Sequence, residues 1–533
     1  MRGGRGMIEE PVIRTEELGG SALSRAARAG ATPQWYRPPP HDADGWRTYA
    51  RGVADSVSAG WHDDLRDAIA PSGRAAARLS RSANGQGVVV TTGQQAGVFG
   101  GALMTLIKAI SARALADAIQ ETTGIPTAPL FWAATDDADF DEAAVVSVSL
   151  EGGARELRLE QRAPVGTPMA RVMIDGEIAS LVAPLRDASG SAAHRAFLDD
   201  AINAFRDGAT IGDAYVTLLR QILEPLEIAV LDASHPDVVR AGAPLLRRAA
   251  ASSEALAAAV ARRTDEIVAA GFKPQVDVIP DLSLVSLNVN GTKRRLPLRE
   301  ATSIEQLRDG FLSSTVLLRP VLERSIVPTA AYVGGPGEFA YFAQVSAVAD
   351  SLAVPSPLVV PRWSATIVEP RIQRILGQLG LAVEDFADPY AADGRVARER
   401  LSPDAAHALA DLRGDMRTDI ERLRRSSNGL VPEAVLDGLA RAIEHRLERA
   451  ERRLLAGVKR REVDAMRQLA TARGSLFPHG VRQERKLAFI PFLARYGQPL
   501  LDRMLAEART HARSLIAGAP TVPSSMVGAP ARV

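Results

Sequence analysis

Gly87 to Thr135 reads GVVVTTGQQAGVFGGALMTLIKAISARALADAIQETTGIPTAPLFWAAT, and this stretch decides the fold. It opens with GVVVTT (Gly87–Thr92), a β-branched run that stops at Gly93 and reads as a buried strand. A glycine-punctuated turn follows. From Ala102 to Gln120 apolar residues fall at Leu103, Leu106, Ile107, Ile110 and Leu115, the spacing of a helix. The next apolar run, PLFWAAT (Pro129–Thr135), completes strand, helix, strand, which implies a right-handed parallel crossover and hence an α/β sheet.

The same pattern recurs on both sides of this unit. EIAVLD (Glu227–Asp232) precedes a long Ala-rich helix from about Asp237 to Arg263, and Ala331 to Val333 precedes Gly334, a helix through Ala349 and a strand at Leu358 to Val360. The core therefore runs over 86–395, behind a helical lead-in at 1–85. Two stretches, 145–220 and 272–315, alternate short strand-like runs with turns and read as insertions expected to cap the open edge of the sheet.

Beyond Pro403 the texture changes. Leu409, Leu412, Met416, Ile420 and Leu423 step by three or four, and so do Leu436, Leu439, Ile443, Leu447, Ala450 and Leu454. Ser426 to Pro432 reverses the chain between them. Residues 396–472 thus form an antiparallel coiled-coil hairpin whose narrow apolar seam suits homodimerisation. Its excess of Arg reads as a solvated face. The segment 473–533 is expected to pack back on the core, with a flexible tail from about 518.

Composition narrows the partners. Lys plus Arg exceed Asp plus Glu by 64 − 63 = 1, so no global field recruits nucleic acid or an anionic membrane. No apolar run approaches the length of a membrane span. With 0 cysteines, disulfides, thiolate metal sites and a cysteine nucleophile are excluded. The expectation is a cytoplasmic protein acting on small molecules.

In an open parallel sheet, ligands bind outside the carboxyl ends of the strands. After the first strand, Thr91–Gly101 (TTGQQAGVFGG) matches neither a P-loop nor a dinucleotide fingerprint. It is either a plain βα turn or, given the amides of Gln94 and Gln95, a holder of polar substrate groups. After the second strand, DDADFDE places Asp136, Asp137, Asp139, Asp141 and Glu142 together. These carboxylates suit magnesium, an amine or a proton, but also an acidic first helical turn. Asp136 and Asp137 directly follow the strand, so they are expected to face the crevice. After the strand at Ala331 comes YVGGPGEFAYFAQV (Tyr332–Val345), in which Gly334, Gly335 and Gly337 make a side-chain-poor turn and Glu338 opens a helix bearing Tyr341, Phe342 and Gln344. Arg319, Arg324 and Arg362 flank it, each able to grip carboxylate or phosphate or to make an ordinary ion pair. The histidines show no HExxH or close pair, and no GxSxG elbow occurs.

Four segments together, VVTTGQQAGVFGG, LFWAATDDADFDE, LLRPVLERSIVPTAAYVGGPGEFAYFAQV and LFPHGVRQERKLAFIPFLARYG, resemble the bacillithiol biosynthesis cysteine-adding enzymes, the BshC family. The resemblance implies a Rossmann-like parallel-sheet core related to class I aminoacyl-tRNA synthetases, inserted connecting segments and a dimerising C-terminal coiled coil. It implies a ligase joining the carboxylate of L-cysteine to the amine of glucosaminyl malate, with activation by ATP or another nucleotide and magnesium as a candidate companion ion. It further implies catalytic roles for Gln94, Gln95, Asp136, Asp137 and Asp139. Substrate contacts would come from Thr92, Gly93, Arg319, Tyr332, Glu338, Gln344 and Arg362, and nucleotide contacts from Gly97, Gly334, Gly335 and Gly337. One departure stands out: the family's acidic motif usually reads Glu, Asp, His, Asp, Phe, whereas this chain has Asp136, Asp137, Ala138, Asp139, Phe140. The alternative that Ala138 keeps open is a non-catalytic nucleotide-binding scaffold dimerised by its coiled coil.

Overall fold

A computed structural model describes residues 9–301, 312–388 and 390–518. The chain divides into two compact units, one made of 10–148, 156–367 and 483–518, the other of 149–155 and 368–482.

The first unit is built on five parallel strands: β1 (Val88–Gln95), β2 (Thr127–Ala134), β3 (Ala229–Asp232), β4 (Thr329–Gly334) and β5 (Val359–Pro361), in the order β5-β4-β1-β2-β3. From β1 the chain moves outward through β2 and β3, then returns to place β4 on the other side of β1. The topological switch therefore lies between β1 and β4, where neighbouring crossovers diverge and a crevice opens. Both faces of the sheet are covered, which is why its strands are continuous apolar runs and do not alternate with polar residues. Helix α1 (Leu103–Thr123) packs on β1 and β2, and the helix Ile490–Ile516 packs on α1. On the other face Val89, Leu130, Trp132, Ala229 and Leu231, at period-two positions, share a core with Trp61, Leu65, Ile69 and Leu79. The described part of the lead-in thus helps cover the sheet through Trp61, Leu65, Ile69 and Leu79, and it contains a strand, Val12–Thr15, besides its helices.

The turn after β1 holds two glycines at positive φ, Gly100 (+85°) and Gly101 (+78°), and a Cβ on Gly100 would lie 2.5 Å from the Phe489 ring. Glycine meets both demands at once. Helix α2 (Arg319–Ile326) leads into β4, and α3 (Pro336–Ser351) starts directly after it.

Two expectations need correction. Of the insertion at 145–220, only Val145–Leu150 and Gly153–Arg158 are strands; Ile178–Ser189, Ala196–Ala204 and Ile211–Leu223 are helices. The last of these is capped by Thr210 and buries Ile211, Ala214, Tyr215, Leu218, Leu219 and Ile222, a helical period that short apolar runs concealed. The insertion at 272–315 does form a sheet, with strands Leu282–Val289, Thr292–Pro297 and Leu312–Ser314. It stays separate from the core sheet and does not extend its edge. The helix expected over 237–263 is two, Pro236–Ala251 and Ser253–Ala269, interrupted at Ser252.

In the second unit α4 (Pro403–Ser426) and α5 (Glu433–Arg461) run antiparallel, reversed through Asn428 and Gly429 at positive φ. Arg413 bridges Glu444 and Glu451, and Arg424 bridges Glu433 and Asp437. Residues 368–395, grouped with the core by sequence, lie in this unit, where Ile372, Ile375, Phe386 and Val396 pack with Leu469 and Leu476. The tail past Gly518 lies outside the described residues.

Candidate active site

A cavity of about 520 Å³ lies at the carboxyl ends of the core strands. Its size is that of a small-molecule site. One wall is the end of β1, where Gly93, Gln94 and Gln95 sit beside the residues that end β2, Gln94 opposite Ala133 and Gln95 opposite Ala134. Gly93 permits this close pairing, since a Cβ there would come within 3.1 Å of the Trp132 carbonyl. Past β2 come Asp136, Asp137 and Ala138. The Gln95 amide donates to Asp137 Oδ2 at 3.0 Å, while the Asp139 N–H donates to Asp137 Oδ1 at 3.0 Å. The glutamine pair and the two aspartates therefore share one rim.

Facing them, the strand Thr292–Pro297 sends Lys293 and Arg295 into the cavity, and the Lys293 ammonium lies 3.4 Å from Asp136 Oδ2. Arg485 lines the cavity as well. The far side is a buried polar chain. Lys108 of α1 contacts Glu338 Oε2 at 2.7 Å, Tyr332 donates its hydroxyl to Glu338, and Arg319 donates to the Tyr332 hydroxyl at 3.1 Å and to Glu323 at 2.8 Å. Burial alone would push the Glu338 carboxyl up. Lys108, the Tyr332 hydroxyl and the Gly335 N–H outweigh it and hold Glu338 below the usual carboxylate range. Burial raises the Tyr332 phenol, which stays a neutral donor.

Several sequence candidates lie elsewhere or serve the fold. Thr92 is fully buried and donates to the Val333 carbonyl, tying β1 to β4. Gln344 is fully buried too, clamping Val276 through both its N–H and its carbonyl. Arg362 makes a bidentate pair with Glu484 at 2.6 and 2.7 Å, so its fork is closed to ligand carboxylates. Asp139 caps the short helix Phe140–Ala143 through the Glu142 N–H. Arg324 bonds Ser56. Gly97 and Gly334 do not line the cavity; Gly334 is a packing position, 3.1 Å from Val359 as judged from a Cβ. Gly335 and Gly337 do line it, yet the Gly335 N–H is taken by Glu338, so the start of α3 carries its own internal anion. Arg319, Tyr332 and Glu338 border the cavity while committed to one another.

Sequence reasoning passed over Lys108, Lys293, Arg295 and Arg485. Lys108 is a buried lysine flanked by Leu106, Ile107, Ala109 and Ile110 of α1, and a buried cation needs a partner. Lys293 and Arg295 share a strand face at i and i+2, while Arg294 turns the other way to Glu300. Arg485 sits in the quoted LFPHGVRQERKL segment, between the buried Glu484 and Lys486.

A parallel sheet covered on both faces, with a cavity lined by charged and amide side chains at the strand ends, defines a Rossmann-like domain with a candidate small-molecule site. The bacillithiol biosynthesis BshC N-terminal Rossmann-like domain matches residues 65–363, and the BshC C-terminal coiled-coil domain matches 365–514. The protein named "Putative cysteine ligase BshC" of Solibacter usitatus is 32% identical over 458 residues, 80% of this chain and 83% of that one. Its namesake in Koribacter versatilis is 29% identical over 484 residues, 87% and 89% of the two chains. The chain belongs to the BshC family.

Proposed function

We propose that the chain is the cysteine ligase of bacillithiol assembly, forming the amide between the carboxylate of L-cysteine and the amine of glucosaminyl malate. The observation that carries this reading is the Gln95–Asp137 hydrogen bond. It ties the end of β1 to the turn after the neighbouring β2, opposite Lys293 and Arg295, in one cavity. Amide formation needs an amine held deprotonated next to a carboxyl carbon. Asp137, whose carboxylate accepts from Gln95 and from the Asp139 N–H, would orient that amine and take its proton. Lys293, Arg295 and Arg485 suit the carboxylates of the malate arm, and the same cations suit a polyphosphate. A bound nucleotide would supply carboxylate activation, held by these side chains because the Gly335 N–H is already occupied. The residues do not form a ready magnesium cage. Asp136 and Asp137 face Lys293 and Gln95, and among the described residues no group of three or more His, Asp or Glu side chains is arranged to hold a metal ion.

Incubation with cysteine, glucosaminyl malate and each nucleoside triphosphate is expected to yield bacillithiol by mass spectrometry. Asp137→Asn should cut the rate about 100-fold or more. No product with any nucleotide, beside an active family member, would refute the reading.

One observation favours a second reading. Ala138 lines the cavity where the family motif usually carries an imidazole, which suits a scaffold that binds nucleotide without turnover. Nucleotide binding unchanged by Asp137→Ala, with no product, would decide for it. The hairpin is further proposed to dimerise the protein. Leu412, Leu423, Leu439 and Leu454 are 56, 45, 42 and 42% exposed on α4 and α5, an apolar stripe of the kind a second copy covers.

A further inference from the structure

We propose that Lys108 is a positioning residue that sets the polarity of Gln94, so that Gln94 offers an N–H donor, and not a carbonyl, to an anionic oxygen of the bound ligand. This rests on the cavity being the substrate site, as read above.

The Lys108 side chain is buried, and its ammonium lies 2.7 Å from the Gly93 carbonyl, 3.1 Å from Gln94 Oε1 and 2.7 Å from Glu338 Oε2. An ammonium has three donors and no acceptor, so these contacts use it fully. A carboxamide beside such a group must turn its oxygen toward it, which points its NH2 the other way. Gln94 lines the cavity, half-buried, and its NH2 donates to no other described residue. Glu338 in turn holds Lys108 in place, because it is itself fixed by Tyr332 and by the Gly335 N–H. One cation thereby ties the end of β1 to the start of α3 and orients the amide between them. Lys293, Arg295 and Arg485 line the same cavity, so the oxygen that Gln94 meets is anionic: a carboxylate of the malate arm or a phosphate of the nucleotide.

Calorimetric titration of the full chain with glucosaminyl malate, and separately with ATP, reads this without turnover. Lys108→Met and Gln94→Ala are each expected to weaken one of these ligands about tenfold. The double variant should be no more than about threefold worse than either, because the same donor is lost once. The ligand that shows this coupling identifies the oxygen as carboxylate or phosphate. Gln94→Glu keeps an acceptor for Lys108 but turns a second acceptor to the cavity, and it should lose at least as much affinity as Gln94→Ala. Where Lys108→Met fails to fold with Glu338 left unpaired, the K108M/E338Q protein takes its place in the cycle. Additive losses, unchanged affinity in the Lys108 variant, or unimpaired binding by Gln94→Glu would overturn the role of Lys108 alone. A wild-type protein that binds neither ligand would overturn the reading of the cavity and this role with it.

Discussion

Asp117 is a carboxylate held by three guanidinium groups: Arg78 lies 2.6 Å from Oδ1, Arg113 2.9 Å from Oδ1 and Arg509 2.8 Å from Oδ2. Burial would raise its pKa, but the three guanidinium groups outweigh burial and hold the carboxyl below its ordinary value. A carboxyl depressed in the fold contributes stability above its unfolded pKa of about 3.9, and that contribution is lost as pH falls through the lower folded value. Asp117→Asn should therefore cost about 3 kcal/mol at pH 7 by denaturant unfolding. The gap between variant and wild type should narrow below about pH 4; a gap that stays constant would contradict the assignment. Arg362 and Glu484 make a similar test. With the pair buried and bidentate, Glu484→Gln should destabilise the protein by about 3 kcal/mol or more. Substrate KM in the folded fraction should stay within about twofold, since neither side chain lines the cavity. A large KM rise would return Arg362 to the substrate site.

The core strands were legible as elements because β-branched apolar runs bounded by glycine have few other uses: GVVVTT became Val88–Gln95 and PLFWAAT became Thr127–Ala134. Where the sequence misled, the cause was a competing period. Helix Ile211–Leu223 hid among short apolar runs, and the break at Ser252 left an Ala-rich stretch that looked continuous. The site shows the same division. Asp136 and Asp137 could be placed from their position after a strand, whereas Thr92, Gln344 and Arg362 were drawn away by partners distant in sequence, Val333, Val276 and Glu484. Such partners are not visible from local spacing. The hairpin forms where its apolar spacing put it, but Leu412, Leu423, Leu439 and Leu454 of the expected seam are exposed, and they carry their own test. Where the hairpin dimerises the protein as proposed, wild type should sediment as a dimer, and replacing Leu412 and Leu439 with Glu should shift it toward monomer while the helical circular dichroism signal persists. An unchanged dimer would place the interface elsewhere.

For the whole molecule, a formal net charge of +1 leaves recognition to local geometry. No helix among the described residues is long and apolar enough to cross a membrane. What the fold supplies is convergence: Gln95, Asp137, Lys293 and Glu338 come from four stretches of chain and meet at one cavity at the switch of a parallel sheet. The most direct test is a crystal structure of the protein soaked with glucosaminyl malate. The malate carboxylates are expected against Lys293, Arg295 or Arg485, with the sugar amine within hydrogen-bond reach of Asp137. Ligand density away from this cavity, in crystals whose protein forms product in solution, would contradict it.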